Sequence, residues 1–211
     1  MPASAAQLIE TIRVEPGRNA PLLAGHWQRL ETSCMALGYT WPGDALIQAV
    51  QHTVAQLDAG ANHRLRLLLD RNGQYSIETN LLPATPQPVR LQLSDVPLQA
   101  DLVWLQHKTT HRPWFEPAQH WLADHPDFFD VVFCNDKDEV CEGSRSNVYM
   151  LSAENIWLTP PLACGLLPGV QRQSLLDGGL VQEAIITRRQ LLGARVIRVS
   201  NALRGWLDAT F

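Results

Sequence analysis

Glu142-Gly143-Ser144-Arg145-Ser146-Asn147-Val148-Tyr149 is the stretch whose reading decides the fold. It closes one apolar segment and opens the next. Upstream, Phe129-Asp130-Val131-Val132-Phe133-Cys134 and the run from Val140 read as antiparallel strands around the turn Asn135–Asp138. Downstream, Asn147–Leu151 and Ile156–Thr159 read as a second pair around Ala153-Glu154-Asn155. Glu142 is therefore a carboxylate leaving a strand through a glycine-containing turn. Taken alone, it reads either as a solvated turn residue or as a carboxylate held against a cationic ring nitrogen.

Working outward, Thr159-Pro160-Pro161 leads through a loop to Gly165-Leu166-Leu167-Pro168-Gly169-Val170-Gln171-Arg172, where 169–176 has the pattern of a helix. Pro and Gly just before a helix leave amide N–H groups free at its positive end, which suits a phosphate, although many helices begin this way. Residues 180–186 and 195–199 read as the remaining strands. In the other direction lie a helix around 114–124, a short strand ending at Lys108 and a strand over 89–95. Pro83, Pro86 and Pro88 then interrupt every period and mark a linker. Before it, 8–14 alternate like a strand, and Leu23, Trp27, Leu30, Cys34 and Leu37 mark a helix face closed by Gly38. Asp44 is the expected N-cap of a second helix. Strands 63–70 and 74–81 flank Asp70-Arg71-Asn72-Gly73, a hairpin signal. The chain is thus expected to be α+β in two domains, a small one over 1–86 and a larger one over 87–211.

Three side chains give the Glu142 stretch company. Lys108 is one of only two lysines among 17 basic residues; the other, Lys137, sits in the charged turn Asn135–Asp138. Where an amine must lose its proton and attack a carbonyl, arginine cannot substitute. Arg66 alternates with Leu65 and Leu67 on its strand, and an arginine there either binds an anion or lies on a wet edge. A lysine, a carboxylate, a helix-start cup and a strand arginine together match the needs of pyridoxal phosphate.

The order and spacing of these residues resemble the fold-type IV pyridoxal-phosphate enzymes, which include class IV aminotransferases and aminodeoxychorismate lyases. Glu142, the Asn147-Val148-Tyr149 step, Thr159 and Leu167-Pro168-Gly169-Val170 fit that family's pattern. Ile9–Val14 and His26-Trp27-Gln28-Arg29-Leu30 look like the small domain of the lyases. Lys108-Thr109-Thr110-His111-Arg112 and Asn201-Ala202-Leu203-Arg204-Gly205-Trp206 resemble lyase domains too.

The resemblance implies a pyridoxal 5'-phosphate enzyme in which Lys108 forms the Schiff base and Glu142 faces the ring nitrogen. It implies that Arg66, the amides of Val170 and Gln171 and the Asn201-Ala202 turn hold the phosphate, with Leu167 against the ring. Arg13 and Arg204 are the candidates for substrate carboxylates, since a bidentate fork suits a carboxylate. The activity implied first is 4-amino-4-deoxychorismate lyase, forming 4-aminobenzoate and pyruvate from a small-molecule amine. The alternatives are a class IV amino-acid aminotransferase, of branched-chain or D-amino-acid type, and a non-catalytic relative. Two departures stand out. Only seven residues precede Leu8, so part of a pocket wall is expected to be absent or supplied by another chain, in keeping with a homodimer. Gln171 stands where many relatives place a hydroxyl.

Composition sets the outer limits. A net charge of −4 offers no field for nucleic acid or an anionic membrane, and no apolar run reaches the ~20 residues of a membrane span. Met1–Ala6 lacks the basic start and apolar core of a signal peptide. Four cysteines without C-x-x-C spacing and scattered histidines predict reduced cytoplasmic thiols and no metal site.

Overall fold

Alternation at the start of the chain becomes a small sheet. The computed structural model describes residues 6–211; residues 1–5, the start of the expected small domain, lie outside the described residues. The chain divides into two compact units, one of residues 1–84 with 107–111 and one of 85–106 with 112–211.

In the first unit, β1 (Leu8–Val14), β2 (His63–Leu69) and β3 (Tyr75–Leu81) form an antiparallel sheet in that order. Helices α1 (Leu23–Leu37) and α2 (Asp44–Ala55) pack on one face. Period-two alternation sends Leu8, Ile12, Val14, Leu65, Leu67 and Leu69 into a core with Leu30, Cys34, Leu46 and Val50 from the helices. Thr11, Arg13, Arg64 and Arg66 therefore occupy the opposite face. Gly38 closes α1 in the left-handed conformation with φ 69°, as the spacing predicts. The cap of α2 differs from expectation: Gly43 is the N-cap and Asp44 the first helical residue, a position where a carboxylate still favours the helix dipole.

The second unit is built on eight strands. Its elements are β4 (Val89–Leu93), α3 (Leu102–Leu105), α4 (Glu116–Asp124), β5 (Phe128–Cys134), β6 (Val140–Gly143), β7 (Asn147–Leu151), β8 (Trp157–Thr159), α5 (Val170–Asp177), β9 (Gln182–Glu183), α6 (Arg188–Leu192), β10 (Ile197–Asn201) and β11 (Gly205–Thr210). The strand order is β6-β5-β4-β11-β10-β7-β8-β9. β4 runs parallel to both β5 and β11, and the central pairs β11–β10–β7 are antiparallel. Val89, Leu91, Val132, Val148, Val199 and Leu207 form its main core.

Three local expectations are corrected here. The segment before Lys108 is not a strand: Asp101 accepts hydrogen bonds from the Val103 and Trp104 amides and starts the short helix α3. The strand expected over 180–186 shrinks to Gln182–Glu183, because Val181 and Ile186 reach the core from irregular backbone. The strand expected over 195–199 starts later, at Ile197, and β11 follows it as a hairpin partner. The structure also adds α6, which opens on a capping box between Thr187 and Gln190.

Candidate active site

The expected site residues fall on both units. Arg13, Arg66 and Lys108 belong to the first; Glu142, Leu167, Val170, Gln171, Asn201, Ala202 and Arg204 belong to the second.

In the first unit, β1 is an edge strand, and its free edge is where the chain returns at residues 107–111. The Ile9 N–H donates to the Lys108 carbonyl at 2.8 Å, and the Thr110 N–H donates to the Gln7 carbonyl at 2.9 Å. The Gln7 N–H in turn donates to Thr110 Oγ1 at 2.9 Å, and Thr109 bridges Leu8. Lys108 is thus held by backbone bonds on both sides, and its neighbour Thr109 is fully buried. Arg66 stands on the face opposite the core, half-buried, at the register Thr11–Arg66–Glu78. Among the described residues its guanidinium has no ion pair or hydrogen bond, so its charge is available to an anion. Arg13 is a diagonal neighbour of Arg66 across β1 and β2, but it is engaged: Nη2 donates to Asn62 Oδ1 at 3.2 Å and Nε lies 3.3 Å from Glu15 Oε1.

In the second unit the decisive stretch becomes legible atom by atom. Glu142 is buried at the end of β6, with 4% of its surface exposed. The turn that follows is organised by Asp130, a fully buried carboxylate in the middle of β5. Asp130 Oδ1 accepts from Ser144 Oγ at 2.7 Å; its Oδ2 accepts from Ser146 Oγ at 2.5 Å and from the Arg145 N–H at 3.1 Å. Burial pushes the Asp130 carboxyl upward, and the Ser146 and Ser144 hydroxyls pull against it. Gly143 is required beside this carboxylate, since a Cβ there would lie 2.1 Å from Asp130 Oδ2.

Asn147 then joins the turn to the start of α5. Its Nδ2 donates to the Leu167 carbonyl at 3.0 Å, and a Cβ on Gly169 would lie 2.0 Å from its Oδ1. Gly169 caps α5 without a side-chain hydrogen bond, which leaves the amides of the first turn directed outward past Val170 and half-buried Gln171. Thr159, also buried, donates to the Val148 carbonyl at 2.9 Å. The Asn201–Gly205 turn joins the same assembly: Asn201 Nδ2 donates to the Arg145 carbonyl at 3.1 Å, and its Oδ1 accepts the Arg204 N–H at 2.8 Å. The turn that follows Glu142, the Leu167–Gln171 turn and the Asn201–Arg204 turn are therefore linked within one unit by the hydrogen bonds of Asn147 and Asn201.

Two residues of this assembly have no role assigned by the sequence. Arg112 follows Lys108 by four positions. Burial lowers the basicity of its guanidinium, while the nearby charges of Glu142 and Asp130 act in the opposite direction. Its Nη2 donates to the Ser144 carbonyl, and its guanidinium lies over the Phe115 ring, 4.7 Å from the centroid. Asp130 is the other, and its signal is a lone charge inside the apolar run Phe128–Cys134.

The family model described as amino-transferase class IV matches residues 7–210. The chain belongs to the class IV aminotransferase family. Members of that family use pyridoxal phosphate. A Schizosaccharomyces pombe protein provisionally described as an aminodeoxychorismate lyase is 25% identical over 189 residues, covering 87% of this chain and 80% of its own. A crystal structure from Mesorhizobium loti, provisionally described as an amino-acid aminotransferase, is 31% identical with a TM-score of 0.88, covering 97% of this chain and 99% of that one. A fold IV transaminase from Curtobacterium pusillum shares the fold with a TM-score of 0.82 at 23% identity, covering 99% and 77%. The α+β fold-type IV architecture expected from the sequence is the one observed.

The residues present suit pyridoxal phosphate. In the second unit the uncapped start of α5 is a complement of a phosphate dianion, and buried Glu142 is a complement of a protonated ring nitrogen; in the first unit Arg66 offers a half-buried cation. Among the described residues no set of histidine, cysteine and carboxylate side chains is placed to hold a metal ion, and no helix is long and apolar enough to cross a membrane.

Proposed function

We propose that this protein is a pyridoxal-phosphate-dependent 4-amino-4-deoxychorismate lyase that releases 4-aminobenzoate and pyruvate. The observation that carries the cofactor reading is the fastening of Lys108, one of two lysines in the chain, to the free edge of β1. The lyase reading is supported by the likeness to the S. pombe protein across most of both chains. In this reading Arg66, the Val170 and Gln171 amides and the Asn201-Ala202 turn bind the phosphate, and Leu167 packs on the ring. Glu142 holds the proton on the ring nitrogen. The bound cofactor supplies an electron sink for the carbon beside the substrate amine. The Lys108 amine removes the proton from that carbon, for which an amine freed at neutral pH is suited. Arg204 and Arg13 take the substrate carboxylates, Arg13 exchanging its contact with Glu15 for one of them. We also propose a homodimer, the commonest symmetric assembly. All four cysteines are free and buried, which suits a reducing cytoplasm.

A second reading, an amino-acid aminotransferase, draws on the M. loti likeness and uses the same cofactor residues. One experiment separates the two. Supplied with aminodeoxychorismate and no keto acid, a lyase releases 4-aminobenzoate and pyruvate in equal amounts over many turnovers. A transaminase stops after one turnover until an acceptor is added. Borohydride should fix a pyridoxyl group on Lys108, and Lys108→Ala should abolish both that label and turnover. Multiple turnovers only with an added keto acid would replace the lyase reading by the second.

A further inference from the structure

His26 and Arg29, part of a motif that the proposed chemistry leaves unused, lie with Ser33 on one face of α1. They enclose Glu10, on the core side of β1. Glu10 is 1% exposed and His26 fully buried. His26 Nδ1 and Arg29 Nη2 each lie 2.5 Å from Glu10 Oε2, and Arg29 Nε donates to Oε1 at 2.9 Å. Burial alone would push the carboxyl up, but the Arg29 charge and the His26 contacts outweigh it and hold Glu10 at about 2. One turn further along α1, buried Ser33 Oγ shares a hydrogen bond of 2.9 Å with His107 Nδ1.

A buried ion cluster is weak support for stability, because apolar packing of the same volume often does as well. What it does provide is register. The apolar residues of β1 could pack on α1 after a two-residue slide that keeps the same face inward, but a carboxylate meets two donors at one place only. That register sets where the Ile9 N–H stands, and the Ile9 N–H holds the Lys108 carbonyl. α1 thus reaches the lysine segment twice: through Glu10 and β1, and through Ser33 and His107.

We infer that Glu10, clamped by His26 and Arg29, is a positioning residue for Lys108, acting through the β1 edge on which residues 107–110 are paired. This rests on the reading of Lys108 as the amine that carries the cofactor. The test uses the full chain, with Glu10→Gln as the direct variant and Arg29→Gln with Arg29→Lys as a milder pair. Two rates are read: hydrogen exchange at the Ile9 and Thr110 amides, against Leu68 in β2, which pairs with Ser76 of β3, and borohydride-trapped labelling of Lys108 by added pyridoxal phosphate. Glu10→Gln and Arg29→Gln should speed exchange at Ile9 and Thr110 by about tenfold or more while Leu68 stays within about threefold. Labelling of Lys108 should slow by about tenfold, and Arg29→Lys should regain part of the loss because it keeps the charge without the fork. Exchange and labelling rates within about twofold of wild type would overturn the inference, as would equal loosening at Leu68, which marks general softening. Should wild type take no label on Lys108, the cofactor reading has failed, and the exchange rates alone still decide whether Glu10 positions the segment. If Glu10→Gln does not fold, the Arg29 pair decides between the two outcomes.

Discussion

Asp130 is the residue on which the second unit's site turns most directly, although it touches none of the groups named from sequence except through the turn it holds. Two hydroxyls and two amides, those of Val131 and Arg145, converge on its carboxylate. Asp130→Ala would leave the buried Ser144 and Ser146 hydroxyls and both amides without it, at a cost of about 2–4 kcal/mol, while Asp130→Asn keeps an acceptor and should cost less. Urea denaturation of the two variants checks the ranking, and equal stability of Asp130→Ala and wild type would refute it. Gly143→Ala should be at least as damaging as Asp130→Ala, since its Cβ would enter the same carboxylate. Part of this is legible in the sequence: Glu142, Asn147 and Gly169 belong to one recognisable motif, although Asn147 reaches across 20 residues to the Leu167 carbonyl. Asp130 and Arg112 are not, because neither belongs to that motif and each meets Ser144 only in the folded chain. Only the tertiary structure brings a lone strand aspartate to the turn after the next strand.

The start of α5 gives the corresponding argument for an element. A helix N-terminus offers amides to an anion only if nothing else occupies them, and Gly169 leaves them uncapped while lying against Asn147. Gly169→Ala should therefore destabilise the protein by about 2 kcal/mol or more and weaken cofactor phosphate binding, because Asn147 must let go of the Leu167 carbonyl. In an Asn147→Ala background, where the colliding Oδ1 is gone, the same substitution should cost much less. Strongly non-additive losses in a double-mutant cycle support this coupling, and simple addition would exclude it. Elements with a local signal are legible in the sequence. Strand β2 alternates cleanly over the buried leucines 65, 67 and 69, β1 alternates over Leu8, Ile12 and Val14, and α1 carries both its periodic face and its glycine stop. β11 is hidden because Asn201–Trp206 reads as a binding motif, whereas Leu207 and Ala209 alternate into the core against β10 and β4. The helix α3 passes for a strand because its four apolar residues suit either state, and the Asp101 cap decides for the helix.

At the scale of the whole molecule, the two units carry buried carboxylates shifted in opposite directions. Glu10 in the first unit is held at about 2, below its usual 4.5, so its folded form prefers the charged state. Its stabilisation is complete above pH 4.5 and is lost as pH falls toward 2. The shift corresponds to a contribution on the order of 3 kcal/mol. His107, in the same unit, is lowered by burial, so protonation of the unfolded chain as pH drops through the usual histidine range acts in the same direction. Asp130 in the second unit is raised by burial, so its protonation on acidification favours the folded state and its contribution fades as pH rises. Acid should therefore weaken the first unit selectively. Lowering pH from about 6 to 3 should loosen the core amides of Leu65 and Leu67 well before those of Val148 and Val199, after correction for intrinsic exchange. Glu10→Gln, already without the charge, should lose stability at neutral pH and show a flatter acid dependence in β2. An acid response of the same size in both cores, or one in β2 that Glu10→Gln leaves unchanged, would show that other carboxylates set the acid limit of this fold.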